Sequence, residues 1–461
     1  MSNWQNYLEK NQARFIDELL EFLRIPSIST SPEHADKVRH AAEWAASRLE
    51  AAGLEGVRII STAGHPVVYG EWLHALGRPT ILIYGHVDVQ PPDPLSRWTT
   101  PPFEPTIRDG RVYARGASDM KGTLLATIVA IEALLETEGA LPVNVKFLFE
   151  GEEEIGAPHL PSVLATHQEL FACDLAISAD GGQWSETEPN ITLSTRGGCG
   201  LQIDVKGAIS DLHSGLYGGA VQNPIHALVH LLNTMHAPDG TITVDGFYDD
   251  VRDFSAAERA QIAEAPYDEA QFLARLGLPE TFGEPGYTAR ERIGIRPTLE
   301  INGIWGGFQG EGVKTVLPNE AHAKITCRLV VDQDPVKIRD LLTRYIENHA
   351  PPGVTVTVQP AALLMKPYMI PANHPGNEAL RIVHKQLYGR QPYSHRSGAS
   401  NAVYGLILDH LGVYTVGLGF ILNDENVHAP DEFFRLSSFR RAQKAYCLIL
   451  KQLAATAPQA L

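Results

Sequence analysis

Four separated stretches of this chain put histidine or carboxylate after an apolar run, and a fifth, NDENVHAP, carries a loop histidine; together they could supply donors for metal ions. In GHVDVQPP, His86 and Asp88 share one face if they close a strand, because side chains alternate with a period of two. A metal-bound imidazole needs an outer partner to fix its tautomer and orientation, and Asp88 is placed to be that partner for His86. In RGASDMKG, Asp119 stands at the mouth of a long apolar run, where an ordinary helix cap is the plain alternative. GEEEIG sets three acids side by side after an apolar run. Like charges so close repel, and a cation beside them relieves the conflict. With Glu154 as a ligand, Glu153 stays free to act as general base, and Glu152 is expected to face solvent. Asp180 follows DLAIS and precedes two glycines, so it is either an acidic turn residue or a ligand at a strand end. His428, in NDENVHAP, has the plain alternative of a surface loop histidine. Pooled, these residues offer nitrogen and oxygen donors that suit Zn²⁺ first, with Co²⁺ or Mn²⁺ as alternatives. One ion would take His86, Asp119 and Asp180, and the other Asp119, Glu154 and His428. Asp119 would then bridge ions about 3.5–4 Å apart.

The elements that must position these donors are legible as pattern. TILIY, RVYARG, VKFLFE and DLAIS are short apolar runs separated by longer helical patterns, the alternation of a mostly parallel α/β sheet. Each is expected to deliver its polar residues at the carboxyl edge, where such sheets bind ligands. LLATIVAIEALL is too short to span a bilayer and reads as a buried helix. Leu19, Leu20, Phe22 and Leu23 mark one face of an amphipathic helix near the start. The texture turns β-rich over residues 195–368, as in LQIDVKG and HAKITCRLVV, which predicts a smaller inserted α+β domain. The catalytic domain is then discontinuous, over 1–194 and 369–461. Residues 249–293 are rich in charge and alanine and predict an exposed helical excursion.

Composition narrows the partners. A formal net charge of −16 over 461 residues leaves no basic stripe for nucleic acid or an anionic membrane. The four cysteines lie far apart with no paired spacing, and no basic region followed by an apolar one opens the chain, so a cytoplasmic protein is expected. A paired-metal phosphoester hydrolase would need clustered Arg and Lys to clamp phosphate, and the motifs carry none. An inactive binding scaffold should have lost the base or a ligand. Every such position here is filled.

Taken in order, GHVDVQPP, RGASDMKG, EGEEEIGA, the Asp180 strand end, DLHSGLYGG, GFQGEGVKTVLPNEAHAKITCRL and NDENVHAPDE resemble the metallopeptidase family of aminoacylase, carnosinase, cytosolic dipeptidases and glutamate carboxypeptidase. The GFQGEG stretch and the length of the inserted domain are most similar to its dipeptidase branch. The resemblance implies two metal ions, an inserted lid that dimerises, and hydrolysis of the amide bond of dipeptides, with N-acyl amino acids the alternative substrates. It implies the five metal ligands and the roles of Asp88 and Glu153 given above. It adds His213 as an oxyanion-stabilising residue of an active site, often that of the partner subunit, and Arg328 as the holder of the substrate carboxylate. The chain departs from the family at RSGASNAV, where relatives often carry a Glu-Gly-Gly-Ser-Ile-Pro-like loop at the substrate end. It departs again at Ala429 and Asp431, beside His428.

Overall fold

A computed structural model describes residues 2–461 of the chain. The described residues divide into two compact units, the first over 2–193, Ile370–Ser394 and Leu406–Leu461, the second over Ser194–Met369 and His395–Gly405.

The first unit is built on a six-stranded sheet. Its strands in chain order are β1 (Glu55–Ile60), β2 (Val67–Trp72), β3 (Thr80–His86), β6 (Asn144–Glu150), β7 (Leu175–Ser178) and Thr415–Gly417, and their spatial order is β1-β2-β6-β3-β7-Thr415–Gly417. β6, β3, β7 and Thr415–Gly417 run parallel, while at one edge β2 runs antiparallel to β6 and β1 antiparallel to β2. In β3 and β6 all but the first residue are buried, the continuous apolar run expected of strands covered on both faces. Three helices follow from their apolar spacing. In α1 (Asn3–Leu23), Leu8, Phe15, Leu19, Phe22 and Leu23 are buried, and the Gln5 side chain accepts the Ser2 backbone N–H at the start. Ala41, Ala42, Ala45 and Leu49 form the buried stripe of α2 (Ala35–Ala51). The run LLATIVAIEALL forms α3 (Gly122–Glu138), buried all round from Gly122 to Leu134 and closed by Gly139 in the left-handed conformation. Both α1 and the helix Leu436–Leu453 pack on α3.

One of the four expected strands belongs elsewhere. Arg111–Tyr113 (β5) pairs with β4 (Thr106–Arg108) and with Phe433–Arg435 in a separate antiparallel sheet, not in the parallel one. Its apolar run is only three residues long, and its partner comes from more than 300 residues downstream, out of reach of local pattern.

The second unit carries a four-stranded antiparallel sheet in the order Thr298–Gly306, Glu320–Leu329, Gly197–Lys206, Thr355–Met365. Burial along Glu320–Leu329 alternates residue by residue, so one face is apolar. Helices Pro224–Asn233 and Pro335–Asn348 cover that face and share a core that includes Ile203, Val205, Leu228, Leu231, Ile325 and Leu342. The stretch 249–293 contributes short helices, two of them capped by Ser255 and Thr288 through reciprocal bonds with Glu258 and Glu291.

Candidate metal centre

Strand order places the first donors. β6, β3 and β7 are neighbours, with His86 opposite Glu150 and Tyr84 opposite Ser178. The residues that follow these strands therefore emerge side by side at one sheet edge: Glu153 and Glu154 after β6, His86 at the end of β3, Asp180 two residues beyond β7. Gly181, at φ 113°, turns the chain away directly after Asp180. Asp119 arrives from the short turn Ala117–Lys121 ahead of α3, and His428 from a loop whose Asn426, His428 and Asp431 all have positive φ.

The Asp119 carboxylate sits between the two histidines. His86 Nε2 lies 3.1 Å from Oδ1, and His428 Nε2 lies 3.1 Å from Oδ2. His428 Nε2 is also 3.2 Å from Glu154 Oε2. Two overlapping groups result, His86 with Asp119 and Asp180, and Asp119 with Glu154 and His428, each with one donor atom per residue and all donors within 4.8 Å of one another. Asp88 lies behind them. The His86 Nδ1 faces the Asp88 carbonyl at 3.1 Å and its carboxylate at 3.5 Å, and Asp88 Oδ2 accepts the Glu154 backbone N–H at 3.1 Å. One residue thus braces a donor on each side.

The electrostatics call for cations. Burial, reinforced by Asp180, Asp119 and Glu154, pushes the Glu153 carboxyl well above its ordinary range. Burial and Asp119 push Asp180 up to about 6, and burial raises Glu154. Asp119 alone is lowered, because hydrogen bonds from His428 and His86 outweigh its burial. The same contacts, from Asp119 and then Glu154, lift His428 to about 10. Among the described residues Glu154 Oε1 and Asp88 Oδ1 are buried without a hydrogen-bond partner, a costly state for a carboxylate oxygen. A divalent ion in each group answers both the crowding and the open oxygen of Glu154. The residues present fit such ions, and the oxygen and imidazole donors suit Zn²⁺, Co²⁺ or Mn²⁺.

A match to the model of peptidase family M20/M25/M40 runs over residues 82–452, from β3 past His428. The chain belongs to that family. It is a metallopeptidase-type hydrolase with the mixed α/β fold of the M20 peptidases. A Cys-Gly metallodipeptidase from Schizosaccharomyces pombe is 28% identical over 98% of this chain and 98% of its own length. The Beta-Ala-His dipeptidase of Mus musculus is 27% identical over 97% of this chain and 94% of its own. Among solved structures, an M20 family metallo-carboxypeptidase from Sulfolobus solfataricus superposes with a TM-score of 0.85 at 32% identity, covering 95% of this chain and 99% of the other.

Within this M20 chain the remaining candidates fall in the second unit. His213 ends the strand Leu212–His213, which pairs with Val316–Leu317, and its Nδ1 accepts the Gly215 N–H at 3.0 Å. That bond leaves Nε2 as the protonated, exposed nitrogen of the neutral ring. Arg328, on Glu320–Leu329, donates Nη1 to Ser400 Oγ at 2.7 Å, so the guanidinium meets the RSGASNAV loop directly.

Glu152 corrects an expectation. It is buried at 4% exposure, not solvent-facing. Its carboxylate accepts the His65 N–H at 2.9 Å and the His159 backbone N–H at 3.3 Å, and it pairs with the His159 ring at 2.9 Å. His65 lies in a distant loop, so the run of three acids could not announce the pairing. Gln90 was missed altogether: its Nε2 donates to Glu154 Oε2 at 2.9 Å and to the Glu154 carbonyl at 3.1 Å. The signal was its place in GHVDVQPP, four residues after His86.

Proposed function

We propose that this M20 peptidase hydrolyses the amide bond of dipeptides that carry a free carboxylate. The observation that carries the reading is the pair of donor groups sharing Asp119, with Glu153 beside them at the same sheet edge. His86, Asp119 and Asp180 would hold one ion, and Asp119, Glu154 and His428 the other, with Zn²⁺ first and Co²⁺ or Mn²⁺ as alternatives. When bound, such ions supply Lewis-acid polarisation of the scissile carbonyl and of the attacking water. Glu153 takes the proton of that water on its carboxylate and returns it to the leaving amine nitrogen. Asp88 keeps the His86 ring oriented through Nδ1. His213, from this chain or from the partner subunit, would donate its Nε2–H to the carbonyl oxygen as negative charge grows there. Arg328, already tied to Ser400, offers its remaining N–H groups to the substrate carboxylate.

Similarity to a Cys-Gly metallodipeptidase and a Beta-Ala-His dipeptidase supports dipeptides as the substrates here, with N-acyl amino acids the alternative. A panel of both classes, offered to metal-free protein reloaded with Zn²⁺, Co²⁺ or Mn²⁺, tests this. Cleavage of dipeptides only with metal, abolished in Glu153→Gln, supports the reading. Turnover of acetylated amino acids alone moves it to a deacylase, and metal binding without turnover of either class moves it to a binding protein.

A homodimer is proposed through the second unit. Its edge strand Thr298–Gly306 exposes Ile301 and Ile304, which with Val229 and Phe282 line an apolar groove of about 590 Å³. Sedimentation of wild type against Ile304→Lys checks it, and a wild-type monomer at micromolar concentration sinks it. A cytoplasmic setting is supported by four free thiols, two of them, Cys199 and Cys327, directly opposite each other on neighbouring strands. Among the described residues no helix is long and apolar enough to cross a membrane.

A further inference from the structure

The turn that presents Asp119 is held by a residue outside the donor set. Glu432 is fully buried, and its carboxylate takes four donors. Oε1 accepts the backbone N–H of Ser118 at 3.0 Å and of Asp119 at 3.1 Å. Oε2 accepts the backbone N–H of Gly116 at 3.0 Å and Arg115 Nη1 at 2.6 Å. The Glu432 carbonyl also accepts the Ala114 N–H at 3.1 Å. A second buried acid of the same segment, Glu425, adds a bond of 2.6 Å from the Ser118 hydroxyl. The 114–119 stretch is therefore fastened at every residue but Ala117 to the segment that carries His428.

Only a carboxylate serves four donors in this way. Glutamine in either orientation keeps one acceptor oxygen and turns an NH₂ group toward two other donors. Such a site, once desolvated, leaves those donors unsatisfied. The segment supplies geometry as well as acceptors. Glu432 stands four residues after His428, beyond the positive-φ residues of its loop, so Asp119 and His428 take their places from one anchor.

We propose that Glu432 is a positioning residue of the metal centre, which holds Asp119 in register with His428 by accepting the Arg115 guanidinium and the backbone N–H groups of Gly116, Ser118 and Asp119. The proposal rests on the reading of Asp119 and His428 as ligands. It reaches no substrate and acts only through them.

The test titrates Co²⁺ into metal-free wild type, Glu432→Gln and Glu432→Asp by calorimetry. The visible spectrum of the bound ion and the circular dichroism of each protein are recorded alongside. Glu432→Gln is expected to keep its fold, to bind Co²⁺ about 10- to 100-fold more weakly and to change the Co²⁺ spectrum. Glu432→Asp keeps all four acceptor positions one methylene further back, and should fall between. Either folded variant binding Co²⁺ with the affinity and spectrum of wild type overturns the proposal. Should the Gln variant fail to fold, the Asp variant decides by the same criterion. Failure of both to fold overturns it in favour of a role in the fold at large. No Co²⁺ binding by wild type overturns the metal reading beneath, and the proposal with it.

Discussion

Glu153 and Arg328 divide the proposed reaction between proton transfer and binding, and their variants should separate accordingly. Glu153→Gln removes the base without removing a donor from either ligand group, so kcat should fall by about 10²- to 10⁴-fold. Metal stoichiometry, read by elemental analysis, should stay that of wild type, and a variant that loses metal instead would make Glu153 a ligand. Arg328→Met loses a charged hydrogen bond to the substrate carboxylate, a contribution of about 1.5–3 kcal/mol. KM for a dipeptide should rise about 10- to 100-fold with kcat little changed, and an unchanged KM would remove Arg328 from the substrate site. A third residue controls stability, not chemistry. His384 is buried with no hydrogen-bond partner at either ring nitrogen among the described residues, and burial pushes it down to about 3 from the ordinary 6.5. The unfolded chain takes up that proton near pH 6.5 while the folded chain resists it to about 3. Between these values unfolding binds a proton, and stability falls as pH falls, by at most about 1.4 kcal/mol per pH unit from this group. His384→Leu should flatten that part of the Tm-against-pH curve, and an unaltered slope between pH 6 and 4 would show that the ring is protonated in the fold.

At the level of elements, what was readable depended on how local its cause was. β3, β6 and β7 were legible because strands buried on both faces are written as continuous apolar runs, and the donors were legible because chemistry at a parallel sheet comes off the strand ends. β5 lies outside the parallel sheet that its local pattern predicts, because its pairing with Phe433–Arg435 is invisible to any window of sequence. The same distance hid the burial of Glu152, whose partner His65 is 87 residues away, and the anchoring of the Asp119 turn by Glu432. Close backbone approach is equally silent. A Cβ on Gly419 would collide with the carbonyl of Gly181, and one on Gly182 would lie 2.6 Å from the Ile421 carbonyl. These glycines let the chain after Thr415–Gly417 pass against the turn that follows Asp180, where Gln183 N–H donates to the Ile421 carbonyl at 2.9 Å. Gly419→Ala should therefore push that turn aside and destabilise the protein by about 1–3 kcal/mol. It should also weaken binding of one Co²⁺ more than the other. Equal weakening of both ions, or a stable variant with unchanged binding, would show that the turn does not set the place of Asp180.

For the whole molecule, the decisive fact is that the candidate ligands all belong to one of the two units. A ligand that binds only folded protein stabilises it by about 2.7 kcal/mol at a hundred times its Kd. That stabilisation belongs to whichever cooperative unit contains the donors. Each unit has its own core, α3 and the parallel sheet in one, the four-stranded sheet and its two helices in the other. Calorimetry should therefore resolve two transitions, since separate cores need not melt together. Chelation should lower the transition of the first unit by several degrees and leave the second where it stands, with Zn²⁺ or Co²⁺ restoring the first. The transitions can be assigned by His384→Leu, which alters only the first unit, and by Leu231→Ala, which opens a cavity in the core of the second. A chelator that moves neither transition would count against metal at His86, Asp119, Glu154, Asp180 and His428. One that moves the second alone would place the metal in the other unit.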